Sequence, residues 1–218
     1  MGAPPKQPDP PFETLPDIGL FASPDCMTSC WQGLRPLVTT EDEIRQFFAE
    51  NGFEDVHSLS LSPSPTTYLS TRDRTSYNIG AIISENRVYS FAIYHTPFLR
   101  LTIQQVILAL GEPPYIFPHF QSGGDTINIY PWVILYYPEQ GFTFRLQESD
   151  GLTAERKPQN KIEICISEKA LIHYVEISPV DSIETRLTDP NSLTIITNMG
   201  LEDLEEWGGF GCMLKDAW

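Results

Sequence analysis

The chain has 218 residues, enough for one large domain or two small ones with a real core. Lys plus Arg number 14 against 29 Asp plus Glu, a net charge of −15 that repels phosphate backbones and anionic lipid, so nucleic-acid and membrane-surface roles are disfavoured. No run of about 18 apolar residues is present to form a spanning helix.

Residues 1–25 are rich in proline, at positions 4, 5, 8, 10 and 11, and poor in apolar anchors, which reads as a tether. The N-terminus shows no apolar signal core, and the opening Met-Gly lacks the Ser or Thr at position 6 that myristoylation needs. At CMTSCW, Cys26 and Cys30 are expected to bridge beside Trp31 and fasten the chain to the folded body. Two free thiols, or a metal or redox pair, are the alternatives. A lone CxxxC without a second Cys or His pair is a weak metal signal, and redox motifs space the cysteines by two residues.

Residues 39–52, TTEDEIRQFFAENG, predict a helix. Thr40 and Glu43 form a capping box, acidic residues fill the first turn, Ile44, Phe47 and Phe48 make the apolar stripe, and Gly52 ends it. Strands are expected at 53–61, 66–72, 76–84 and 87–95, the last two joined as a hairpin by Glu85 and Asn86, with a bulge at Gly80. A second helix is predicted in 101–113, where Ile103, Val106, Ile107 and Leu110 share a stripe, Thr102 caps the start and Gly111 and Pro113 end it.

Further strands follow at 115–120 and in TINIYPWVILYY, where Pro131 requires an edge or bulge. Phe142, Phe144 and Leu146 alternate in the next strand. A polar loop is expected at 148–160, then KIEICIS and ALIHYVEIS as a hairpin turning at Glu168-Lys169. Beyond 178 the pattern weakens to loop, with a short acidic helix at 199–207 and an aromatic tail that docks on the body. Cys212 could reach Cys165 if it does.

The two helices match when Thr40 is placed on Thr102, and residues 82–94 match 165–177. The expected fold class is therefore α+β, two tandem helix-plus-antiparallel-meander units at 26–97 and 98–177 with helices on one face of the sheet, followed by an extension at 178–218.

No catalytic or cofactor motif stands out. His57, His95, His119 and His173 are dispersed, no GxSxG occurs, and Gly123-Gly124 and Gly208-Gly209 lack the lysine of a phosphate loop. No cofactor or metal ligand set is assigned. Tyr130, Trp132 and Tyr136 on one strand, with Tyr89 on another, are instead the candidate contact residues, since Tyr and Trp dominate interface hot spots. The expected partner is another protein, with a basic patch suited to this acidic chain. The rival readings are a hydrolase or isomerase using His95, His173 and Glu176, and a structural subunit of a larger envelope assembly.

The capped helix with Thr102, Val106, Leu110, Gly111 and Pro113, preceded by a copy keeping Thr40, Ile44 and Phe48, resembles the tandem fold of the beta-lactamase inhibitory proteins. It also resembles the single unit of the small outer-membrane assembly lipoproteins. The stretches PDCMTSCW and PWVILYYPEQGFTF look like segments of uncharacterised bacterial envelope proteins. The lipoprotein signal is missing here, the second half is longer, and no inhibitory contact residue maps onto this chain. The resemblance implies an extracytoplasmic, non-enzymatic protein-binding module and names no target.

Overall fold

A computed structural model describes residues 29–53, 56–61, 66–70, 78–94, 101–122, 129–149, 151–180 and 204–216. Two short α-helices, α1 (Glu41–Glu50) and α2 (Ile103–Leu110), and a 3-10 turn at Pro138–Gln140 accompany twelve strands among these residues. The strands are β1 (His57–Leu61), β2 (Thr66–Ser70), β3 (Asn78–Ser84), β4 (Arg87–Tyr94), β5 (Tyr115–Ser122) and β6 (Ile129–Tyr137). They continue with β7 (Phe142–Gln147), β8 (Leu152–Lys157), β9 (Lys161–Ile166), β10 (Ile172–Ile177), β11 (Glu205–Glu206) and β12 (Gly211–Asp216).

Both helices begin as their sequences dictate. The Thr40 hydroxyl accepts from the Glu43 amide, and Glu43 Oε2 accepts from the Thr40 amide at 2.7 Å. Thr102 and Gln105 repeat the device, with Gln105 Oε1 accepting from the Thr102 amide at 2.9 Å. Ile44 and Phe48 of α1, and Ile103 and Val106 of α2, are buried, whereas Leu108, off the stripe, is 79% exposed. Gly111 takes φ +85 and closes α2; its carbonyl accepts from the Tyr137 hydroxyl at 2.9 Å, tying the helix end to β6. Burial, with the nearby Glu112 charge adding to it, pushes that phenol well above its ordinary pKa.

The large sheet runs β1-β2-β3-β4-β10-β7-β6-β5-β11, and every pairing is antiparallel. A second sheet runs β12-β9-β8. One face of the large sheet contributes Ile79, Phe91, Ile93, Val133, Leu135, Phe142, Phe144 and Val175 to the main core. The helices supply Ile44, Phe48, Ile103 and Val106 to the same core, and the small sheet Leu152, Ile162, Ile164 and Ile166. Trp31 joins it fully buried, edge-on to Phe47 at 5.5 Å.

The expected α+β class with two tandem helix-plus-meander units is overturned by this arrangement. The protein is mostly β, and both helices are short elements set into one shared core. The second half is not a meander. β9 and β10, read as a hairpin, belong to different sheets: β9 pairs with β8 and β12, β10 with β4 and β7. The 168–169 turn is a corner between sheets, and the match of 82–94 with 165–177 compares a true hairpin with that corner. Residues expected as polar loop form β8, which turns into β9 through Gln159 and Asn160, both at positive φ. Of the expected acidic helix at 199–207, the described residues 204–207 are not helical: Glu205–Glu206 is a two-residue strand flanked by irregular Leu204 and Trp207.

The β3–β4 hairpin turns at Glu85 and Asn86 as expected, at φ 51 and 61. Its bulge falls not at Gly80, which pairs regularly with Ala92, but on β4 at Tyr89, where the register shifts between Ile82 and Ile83. Pro131 pairs with Phe120 just beyond the first β6–β7 pair, Trp132 with Gln147, so the ladder on that side needs no amide from it.

The corner between sheets leans on Gly151. Its carbonyl accepts from the Ser167 amide at 2.8 Å, and a Cβ there would lie 2.1 Å from the Ala170 amide nitrogen. Gly151→Ala is expected to destabilise the protein by about 3 kcal/mol, as overpacking against fixed backbone does. Gly208→Ala, where a Cβ meets nothing within 4 Å, is expected to change little. Urea unfolding of the two variants checks the difference.

The two capping boxes also differ in pH response. Hydrogen bonds from the Thr40 backbone and hydroxyl hold the Glu43 carboxyl below its usual pKa. A depressed folded pKa gives stability that is present above the unfolded value and lost as pH falls through the folded one. The stability difference between wild type and Glu43→Gln should stay flat above the ordinary carboxylate range and shrink below it. Denaturant titrations across acid pH test this, with Gln105→Glu expected to introduce the same dependence at α2.

Candidate functional site

Strand alternation divides β6 between two faces. Val133, Leu135 and Tyr137 enter the main core, while Tyr130, Trp132, Ile134 and Tyr136 look to the other side of the large sheet. The register sets Tyr115 opposite Tyr136, Phe117 opposite Ile134 and His119 opposite Trp132 on β5. On β7, Thr143 stands opposite Tyr136 and Arg145 opposite Ile134.

These side chains form a ladder of rings that opens along β6. At its closed end Tyr136 is 2% exposed, and Phe117 and Ile134 are buried, with Tyr115, Trp132 and Leu204 packed against them. At the middle rung His119 lies 4.5 Å from Trp132 between ring centroids, and Phe117 stacks on His119 at 5.6 Å. The Arg145 guanidinium sits 5.8 Å over the Trp132 ring, a cation–π contact. Trp132 and His119 are partly buried, and Tyr130 at the open end is 50% exposed. Tyr, Trp and Arg side by side, half-desolvated, are the residue types that carry interface energy.

Three of the four residues singled out from sequence, Tyr130, Trp132 and Tyr136, thus share one strand face. Tyr136 is too deeply covered to touch a partner. Tyr89 does not join them: it is the bulge residue of β4, which β10 and β7 separate from β6. Phe117, His119 and Arg145 were missed, although the alternation of Tyr115, Phe117 and His119, and of Thr143 and Arg145 between the core phenylalanines, carried the signal.

The centre of the same sheet face is polar and covered. Glu176 is fully buried and accepts from the Tyr174 hydroxyl at 3.3 Å. It stands opposite Thr143 on β7 and Ala92 on β4. The Ser90 Oγ and Thr143 Oγ1 atoms are buried without hydrogen-bond partners. Of the trio considered for catalysis, His95 lies outside the described residues. His173 falls where the β10–β7 register shifts between Ile172 and Tyr174, out of the regular row that contains Glu176.

Cysteine chemistry lies on the small sheet. Cys165 on β9 and Cys212 on β12 are directly opposite and disulfide-bonded. Cys30 is also disulfide-bonded; Cys26, its expected partner, lies outside the described residues. Glu163, Cys165 and Cys212 bring donor atoms within 4.8 Å of one another, the one such group of three among the described residues.

No family model and no curated protein sequence matches this chain. Among solved structures it is similar to an extracellular protein containing a SCP domain from Bacillus anthracis str. Ames, with TM-score 0.30 and 7% identity over 68% of this chain and 47% of that one. It is similar also to a cysteine-rich secretory protein from Staphylococcus aureus subsp. aureus Mu50, with TM-score 0.29 and 10% identity over 72% of this chain and 49% of that one. The chain spans about half the length of each, and likenesses this distant assign neither a fold family nor a role.

Proposed function

We propose that this protein is an extracytoplasmic binding module that engages another protein through the open end of the β5–β6–β7 face. The observation that carries the reading is the graded aromatic ladder. Its rings are locked by cross-strand packing at Tyr136 and Phe117 and exposed at Tyr130, with Trp132, His119 and Arg145 between. Rigid aromatic side chains held in place before binding lose little freedom on contact, so more of the buried area is realised as affinity. The disulfide between Cys165 and Cys212, and the one that includes Cys30, support an oxidising compartment. The net charge of −15 favours a partner with a basic rim around its contact surface.

A photo-crosslinking amino acid at Tyr130 tests this reading in the source organism's own envelope and secreted fractions. A defined protein adduct is expected, and purified partner should bind Trp132→Ala and Tyr130→Ala more weakly by about 2 kcal/mol, roughly thirtyfold. Leu214→Ser, on the small sheet and 60% exposed, should bind like wild type. Equal binding by wild type and the Tyr130→Ala/Trp132→Ala double variant contradicts the reading.

A further inference from the structure

The small sheet carries a donor set that binding at the aromatic face does not use. On β9, Ile162, Ile164 and Ile166 enter the core, which turns Glu163 and Cys165 to the opposite, solvent side. Cys212 on β12 is exposed and directly opposite Cys165. One strand therefore offers two ligands at i and i+2, and its neighbour offers a third across the ladder, a triangle of donors on one side of a sheet.

We infer that Glu163, Cys165 and Cys212 form a redox-gated site for a thiophilic divalent cation, Zn2+ in the first instance. In the disulfide form the two sulfurs are bonded to each other and supply no thiolate. A dithiol reductant transfers two electrons to the bond, leaving two cysteine thiols and itself ending as a disulfide. Binding of the cation then releases the two thiol protons. Zn–S bonds of about 2.3 Å in tetrahedral geometry place two sulfurs roughly 3.8 Å apart. Side-chain rotation reaches that separation within a donor group already inside 4.8 Å. The Glu163 carboxylate is the third ligand and water the fourth. Thiolates select Zn2+ over Mg2+ or Ca2+, which prefer oxygen alone.

Lys157 is the group the cation must displace. Its ammonium pairs with Glu163 at 2.8 Å and with Glu155 at 2.7 Å, so it keeps one carboxylate when Glu163 turns to the metal. The cation then takes over the role of the disulfide and holds β12 on β9 by a second chemistry. The inference is independent of what binds the aromatic face.

The test uses the full chain with Cys26→Ser and Cys30→Ser, so that a phosphine, which is then removed, reduces only the bond between Cys165 and Cys212, and Zn2+ alone as the probe. Isothermal titration should show a single tight equivalent for the reduced protein and none for the oxidised one. In the reduced protein, Zn2+ should protect Cys165 and Cys212 from alkylation, read by mass spectrometry of the peptides that contain them. Glu163→Gln should weaken binding by about tenfold or more. Binding by the oxidised protein with equal affinity, or alkylation of Cys165 and Cys212 unchanged by Zn2+, overturns the site. Unchanged affinity in Glu163→Gln overturns the three-ligand assignment.

Discussion

Everything in this fold hangs on the pairing of β4 with β10 at the middle of the large sheet. Four residue pairs make it, from Phe91 opposite Ile177 to Tyr94 opposite Tyr174. Each strand also receives the start of a helix. The Leu37 amide donates to Val88 and the Val88 amide to Thr39 ahead of α1; the Ile103 amide donates to Ala170 and the Ile172 amide to Leu101 around the start of α2. One ladder thus fixes where both capped helices sit. The main core fills the space between that ladder, the helices and the small sheet, so the strands cannot slip without turning Phe91, Ile93, Val175 and Ile177 out of it.

From this central ladder the two ends of the sheet diverge in character. Towards β5 and β6 the face opposite the main core passes from covered polar groups, Glu176 and Thr143, through buried rings to the half-exposed Tyr130. The gradient is a consequence of register. Because His119 pairs with Trp132 and Arg145 with Ile134, the guanidinium is placed to stack on Trp132, and the rings are held by neighbours on both sides. The small sheet closes the core from the other direction, and its outward side holds cysteine and carboxylate rather than aromatic residues. Two surfaces of different chemistry therefore share one scaffold.

Much of the local structure was legible. Thr40 with Glu43, the stripe of α2 with Gly111, and the Glu85-Asn86 turn are short-range signals, and each is decided within a few residues of itself. Partner choice among strands was not. The alternation of Ile162, Ile164 and Ile166 states that β9 has one buried side, but a buried side can face a helix, a sheet or a second sheet equally well. The charged stretch Glu155-Arg156-Lys157 hid β8, since an edge strand facing solvent reads like a loop. The bond between Cys165 and Cys212 was open for the same reason: it depends on where β12 docks, 47 residues further along the chain. For the candidate surface, Tyr130 and Trp132 stood out by type, whereas His119 and Arg145 gain meaning only once the register is known.

Hydrogen exchange followed by mass spectrometry tests the central ladder most directly. Peptides covering 87–94 and 172–177 should be the last to exchange and should do so together, since one ladder and one core protect both. Those covering 152–157, on the edge of the small sheet, should exchange earlier. Slow exchange at 87–94 with rapid exchange at 172–177 would contradict the account, because it would mean that β4 and β10 are not held by the same pairing.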